Sequence, residues 1–274
     1  MIAFRSDVVT VFESALYRTT STLVHTSGLL LLADPTWLPS EVAAIRAEVD
    51  RLGRGRPFYL LFTHSDYDHI LGYGAFPEAR TIASEAFVRN PEAENTLEQI
   101  RKFDDDYYLR RDCPLSYPSI AEAIGQDGQV LQAGDAKLTF FLAPGHNPDG
   151  LFTLIEPAGI LLAGDYLSNV EFPFVYHSFR AYEQTLDKAE ALIRSGRVRL
   201  LVPGHGDPAA RPSEMLRRLA DSRAYLREAR ATVQEGKPFP EEALWQRYAF
   251  RRNQASYHRA NLELLRLEIE NERP

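Results

Sequence analysis

Short apolar runs bounded by turn residues fill the chain to about residue 207, and a helical period takes over after Pro212. Residues 22–26 and 29–33 flank Ser27-Gly28 and read as two strands around a tight turn, the second stopped by Asp34-Pro35. Behind Ser40, which can cap a helix, Val42, Ile45, Val49 and Leu52 recur at helical spacing until Gly53. Residues 58–62 predict a buried strand and 80–83 a short one. From 84 to about 124 the character changes, and 92–111 predicts a charged helix. Its Asp104-Asp105-Asp106 run reads as a solvated face, because adjacent carboxylates on a helix diverge. Tyr107, Tyr108, Arg110 and Arg111 could alternatively form a lid. Strand character returns at 129–131, 137–142, 151–155, 160–163 and 198–202, with a helix capped by Ser178 running to about 195. Two helices are expected after Pro212, to about 235 and from about 241 to 271. With no repeat or linker, the expected organisation is a catalytic domain over 1–211, carrying a helical insert at about 84–124. The C-terminal helices, 212–274, should pack on the same domain.

Composition narrows the options. A chain of 274 residues with 45% hydrophobic and 25% charged content can bury a sizeable core. A net charge of −7 speaks against nucleic acid held by a broad basic surface, although bound cations would not enter that count. Cys113 is the only cysteine, which rules out an internal disulfide and a cysteine-rich zinc site. Residues 1–7 carry charge early and lack an apolar signal core, and the longest apolar run, 29–33, cannot span a bilayer. The expectation is a cytoplasmic protein with a small-molecule substrate and neither membrane nor nucleic-acid partner. The C-terminal helices would close one side of a pocket or form a homodimer interface.

The candidate chemistry centres on Thr63-His64-Ser65-Asp66-Tyr67-Asp68-His69, directly after a buried strand. On a strand His69 would point away from the other three, and on a helix Asp66 would. A strand running out into a turn, with a helix starting near Asp68, lets all four converge. The same grammar of apolar run, turn, then His or Asp recurs at Pro144-Gly145-His146, Gly164-Asp165 and Pro203-Gly204-His205.

In that ordered set the chain resembles the metallo-β-lactamase-fold hydrolase superfamily, whose hallmark is His-x-His-x-Asp-His followed by Gly-His, Gly-Asp and a final Gly-His. The resemblance covers about 20–207. It implies an α/β (α+β) fold, a four-layer αβ/βα sandwich with the C-terminal helices as an appendage. It also implies two divalent metal ions: zinc first, with iron or manganese as the alternatives. His64, Asp66 and His146 would serve one ion, Asp68, His69 and His205 the other, with Asp165 bridging. Asp68 and Asp165 would then be catalytic, flanking a hydroxide held between the ions as the nucleophile.

Asp66 departs from the superfamily pattern, which has histidine there. The carboxylate would add a negative charge and draw metal preference toward iron or manganese. The rival reading has Asp66 too short to reach an ion except through water. Asp34, at a strand end near the same edge, would hold a ligand histidine. Tyr166, Ser168 and His177 are candidates to line the substrate pocket, whereas His258 would lie on a surface or interface. The expected reaction is hydrolysis of an ester-like bond (thioester, lactone or carboxylic ester). Phosphodiester hydrolysis at the same site is the alternative, and an iron-dependent sulfur dioxygenase a further one.

Overall fold

The computed structural model describes residues 1–53 and 55–271. One sheet has seven strands whose spatial order follows the chain: β1 (Ile2–Arg5), β2 (Val9–Glu13), β3 (Thr20–His25), β4 (Leu30–Ala33), β5 (Phe58–Leu61), β6 (Arg80–Ser84) and β7 (Glu122–Ile124). It is antiparallel up to β4 and parallel from β4 to β7. The second sheet has antiparallel neighbours β8 (Val130–Ala133), β9 (Ala136–Leu142), β10 (Leu151–Glu156) and β11 (Ile160–Leu162), with β12 (Leu200–Val202) parallel to β11 at the edge.

The apolar runs are continuous because these strands are buried on both faces. Leu31, Ala33, Tyr59 and Leu61 meet Leu138, Phe140, Leu151 and Leu162 between the sheets. On the outer face of the first sheet, Leu30, Leu32 and Leu60 pack with Ile45 and Val49 of α1 (Pro39–Leu52) and Leu97 of α4 (Ala93–Asp106); α2 (Tyr67–Ile70) and α3 (Glu85–Val88) lie on the same side. On the outer face of the second, Phe152 and Leu154 pack with α5 (Phe179–Arg194), α6 (Pro212–Glu235), α7 (Glu241–Arg247) and α8 (Arg251–Asn271). The result is the four-layer αβ/βα sandwich.

Several expectations need correction. β1 and β2 carry no apolar run long enough to announce them, and β1 is largely exposed. The charged helix ends at Asp106 rather than 111, because Arg111 folds back to donate to both oxygens of Asp104 at 2.8 and 2.7 Å and to the Trp37 carbonyl at 2.8 Å. Asp104 is therefore paired, not solvated. The region 84–124 is not wholly an insert, since it ends in sheet strand β7. The last predicted helix is broken into α7 and α8 at Phe250, whose φ is 64°. His258 lies buried inside α8's packed face, with Nδ1 3.1 Å from the Tyr225 hydroxyl, rather than on a surface.

α8 is fastened over the loop after β11. Asn261 donates to the Pro173 carbonyl at 2.6 Å and accepts from the Val175 amide at 3.0 Å; Gln254 donates to the Val170 carbonyl at 2.8 Å. Among the described residues, no helix is long and apolar enough to cross a membrane.

Candidate metal centre

Four strand ends meet at one edge of the sandwich. β5 ends at Leu61, the chain bends at Thr63, and Asp66 is in extended backbone (φ −61°, ψ 142°) just before α2 begins at Tyr67. With the bend before it and the helix start after it, the segment brings His64 and Asp66 to one group of ligand atoms and Asp68 and His69 to another. His146 follows β9, Asp165 follows β11 and His205 follows β12. Gly204 is required by close approach, because a Cβ there would lie 2.1 Å from Asp165 Oδ1. Gly145, at φ 135°, turns where a Cβ would sit 2.4 Å from Tyr182 Cα.

His64, Asp66, His146 and Asp165 offer ligand atoms to one point, and Asp68, His69 and His205 to a second. Asp66 Oδ2 lies 3.1 Å from His146 Nε2 and 3.6 Å from His64 Nε2. Asp165 approaches all four imidazoles: Oδ1 is 3.2 Å from His69 Nε2, and Oδ2 is 3.3 Å from His146, 3.3 Å from His205 and 3.7 Å from His64. Asp68 Oδ2 lies 3.4 Å from His205 Nε2 and 3.6 Å from His69 Nε2.

The donor set fits divalent cations. In each imidazole Nδ1 is held and Nε2 faces the centre. Nδ1 of His64 meets Thr63 Oγ1 at 3.0 Å, that of His69 meets Asp34 at 3.0 Å, that of His146 meets the Phe174 carbonyl at 2.7 Å, and that of His205 meets the Tyr17 carbonyl at 2.9 Å. Such partners fix the tautomer that leaves Nε2 bare for a metal. His64 Nε2, His69 Nε2 and Asp165 Oδ1 are buried without a hydrogen-bond partner, an expensive state unless an ion takes up the contact. Asp66 reaches as far as the other carboxylates, and Asn147, which no pattern flagged, holds its second oxygen at 2.5 Å.

Without an ion the carboxylates act on the imidazoles. Burial alone would lower the His146 pKa, but its hydrogen bond to the Asp66 carboxylate and the charge of Asp165 lift it to about 9. Burial likewise opposes charge on His205, yet Glu171, Asp165 and Asp68 lift it to about 10. For Asp165, burial favours the neutral acid, and His205, His69 and His64 override it, holding the carboxyl well below the usual range.

A cavity of about 60 Å³ opens onto the centre. Asp66, Asp68, Asp165, His205 and Glu171 form its polar floor; Tyr17, Tyr67, Tyr176 and Phe174 ring it, and Asn253 and Tyr257 of α8 complete the wall. Glu171 was not foreseen. Its carboxylate stands 4.0 Å from His205 Nδ1, and burial raises its pKa to about 7, with His205 pulling down and Asp165 and Asp68 pushing up.

Asp34 is where the strand pattern put it, accepting from His69. The three substrate-lining candidates are not in the cavity wall. The Tyr166 hydroxyl is buried against the Ala143 and Pro144 carbonyls. Ser168 donates to the His205 carbonyl at 2.9 Å and accepts from the amides of Val170 and Glu171, bracing the loop that presents Glu171. His177 is exposed and does not line the cavity, and the same holds for Tyr107 and Tyr108 of the supposed lid.

This fold and this edge define a metallohydrolase. The chain belongs to the metallo-beta-lactamase superfamily, whose family model matches residues 16–205 and whose members typically bind divalent metals. Among its relatives are the proteins named acyl-coenzyme A thioesterase MBLAC2 of Gallus gallus, 29% identical over 194 residues, and of Homo sapiens, 26% identical over 197; each alignment covers 67% of this chain and 68% of the relative. Solved structures of like fold include a metallo-beta-lactamase family protein from Thermus thermophilus (21% identical, TM-score 0.59, 84% of each chain). Another is an archaeal superfamily protein from Sulfolobus tokodaii (16% identical, TM-score 0.54, 79% of this chain and 86% of that one).

Proposed function

We propose that the chain hydrolyses a thioester or related carboxylic ester at a centre of two divalent cations. His64, Asp66 and His146 would hold the first, Asp68, His69 and His205 the second, with Asp165 between them. When bound, such a pair supplies Lewis acidity and a water ionised at neutral pH. The chain's own part is to fix four imidazoles through Thr63, Asp34, Phe174 and Tyr17, and to border the reacting centre with a tyrosine-lined wall.

The observation that carries the ester over the phosphodiester is the charge of the cavity. Asp66, Asp68, Asp165 and Glu171 line it, and among the described residues no Lys or Arg does. Asp66, Asp68, Asp165 and the hydroxide would offset two divalent cations completely, so nothing remains to attract a substrate already anionic at the reacting atom. An ester or thioester carbonyl is neutral. The thioesterase relatives favour the thioester within that class. Coenzyme A keeps its phosphates at the far end of the pantetheine arm, away from the carbonyl.

The test is a panel of thioesters, aryl esters, lactones and bis(p-nitrophenyl) phosphate on protein of measured metal content. The expected outcome is that the best thioester or ester exceeds the phosphodiester by at least about a hundredfold in kcat/KM, ~2.7 kcal/mol of barrier. A preferred phosphodiester would overturn the reading. So would a single iron with persulfide-dependent oxygen uptake.

A further inference from the structure

A second cavity, about 180 Å³, lies beside the first and shares Tyr17, Glu171 and Asn253 with it. Its other walls are Ala15, Val170 and Phe250, so one side comes from the turn after β2 and the other from the start of α8. The wall is preformed, since the Gln254 bond to the Val170 carbonyl ties α8 to the braced loop and Ala15 N donates to Glu41 at 2.9 Å. Its one cation, Arg18, is already engaged, with bonds to Glu13 at 3.0 and 2.8 Å and to Asp207 at 2.5 Å. The space therefore offers apolar surface and no free positive charge. It adjoins the floor where a carbonyl would react, with Tyr17, Glu171 and Asn253 facing both spaces.

We infer that this cavity is the acyl subsite: it takes the unbranched alkyl arm of the acyl group, and thereby sets chain-length preference. The inference rests on the ester-hydrolase reading above. Glu171 and Asn253 stand at the junction, where the polar carbonyl gives way to the apolar arm. An alkyl chain lying there would gain from each methylene taken out of water.

The experiment uses the metal-loaded protein and two ester series. One varies the acyl group from acetyl to octanoyl on a constant p-nitrophenol, and the other varies the alcohol on a constant acetyl. The acyl series should rise about fourfold in kcat/KM per methylene until the cavity is filled, with the alcohol series nearly flat. Ala15→Trp, on an exposed turn, should flatten the acyl series while leaving the acetyl ester within about twofold, since only the buried methylenes are lost. Val170→Phe fills the cavity from the opposite wall and should also flatten the acyl series. A flat acyl series in the wild type, a rise in the alcohol series instead, or a rise that survives both substitutions would overturn the acyl subsite while leaving ester hydrolysis standing. Failure to cleave any ester, acetyl included, would sink the ester-hydrolase reading itself.

Discussion

Replacing Asp34 by asparagine tests how His69 is made ready for a cation. Asp34 has a φ of 50°, a left-handed backbone that asparagine also tolerates, so the change keeps both shape and chain path. The carboxylate accepts from Thr63 N at 2.9 Å, Thr63 Oγ1 at 2.6 Å and His69 Nδ1 at 3.0 Å. An amide can satisfy Thr63 N with its oxygen, but its NH2 then faces two groups that had been donors. Turned over, it sets N–H against the Thr63 N–H. In the first orientation His69 can accept at Nδ1 only by moving its proton to Nε2, the atom that faces Asp165 Oδ1 at 3.2 Å. A protonated Nε2 cannot hold a metal. Losing such an outer partner typically costs about 10–100-fold in metal affinity, or ~1.4–2.8 kcal/mol at ~1.4 kcal/mol per decade. Mispairing of buried hydrogen bonds to a charged group should take a further ~1.5–3 kcal/mol from the stability of the metal-free fold. Chelator competition measures the first quantity, denaturant unfolding the second, and imidazole ¹⁵N shifts report the tautomer. An Asp34→Asn protein with two metals at wild-type affinity and His69 unchanged would refute the reasoning.

Asp66→Ala should leave about one tightly held metal per chain, whereas Asp66→His keeps the fold and both metals; elemental analysis decides, and two metals in the alanine variant would remove Asp66 from the ligand set. Gly204→Ala pushes a methyl into Asp165, so metal content should drop although the strand end is otherwise unaltered; a fully loaded variant would show that the loop can yield. In chelator, thermal stability should fall as pH rises. His146 and His205 are lifted to about 9 and about 10, so their ion pairs contribute fully below the unfolded histidine pKa of about 6.5 and are lost as pH climbs through 9–10. Metal-loaded protein should lack that decline, because ions replace the protons, and a melting temperature flat in chelator over the same range would contradict the pairing.

What could be seen in the sequence was whatever sits at the end of an apolar run. His64, Asp66, Asp68, His69, His146, Asp165 and His205 each follow a buried strand, and Asp34 follows β4, so period and turn residues sufficed to pick them out. Sequence proximity failed just beyond Asp165. The chain turns at Leu167, with φ 58°, and sends Tyr166 and Ser168 to carbonyls of neighbouring segments instead of into the cavity. Glu171, Asn147 and Tyr17 lie in irregular segments, where no period says which way a side chain faces. Tyr257 and Asn253 lie on a helix whose amphipathic pattern shows burial without naming what it covers. β1 and β2 escaped notice because their only buried residues are Val9, Thr10 and Val11, too brief a run against charged neighbours.

Part of the substrate wall is written in a stretch of the chain apart from the reactive centre. Everything that gathers at the strand ends lies before residue 206, while α8 contributes Asn253, Tyr257 and, just before it, Phe250 from the outside. Exposed positions on that helix can therefore vary without touching the reactive centre. A lineage carrying this chain could reshape one side of the substrate wall by editing its last helix alone, and a designer could do the same.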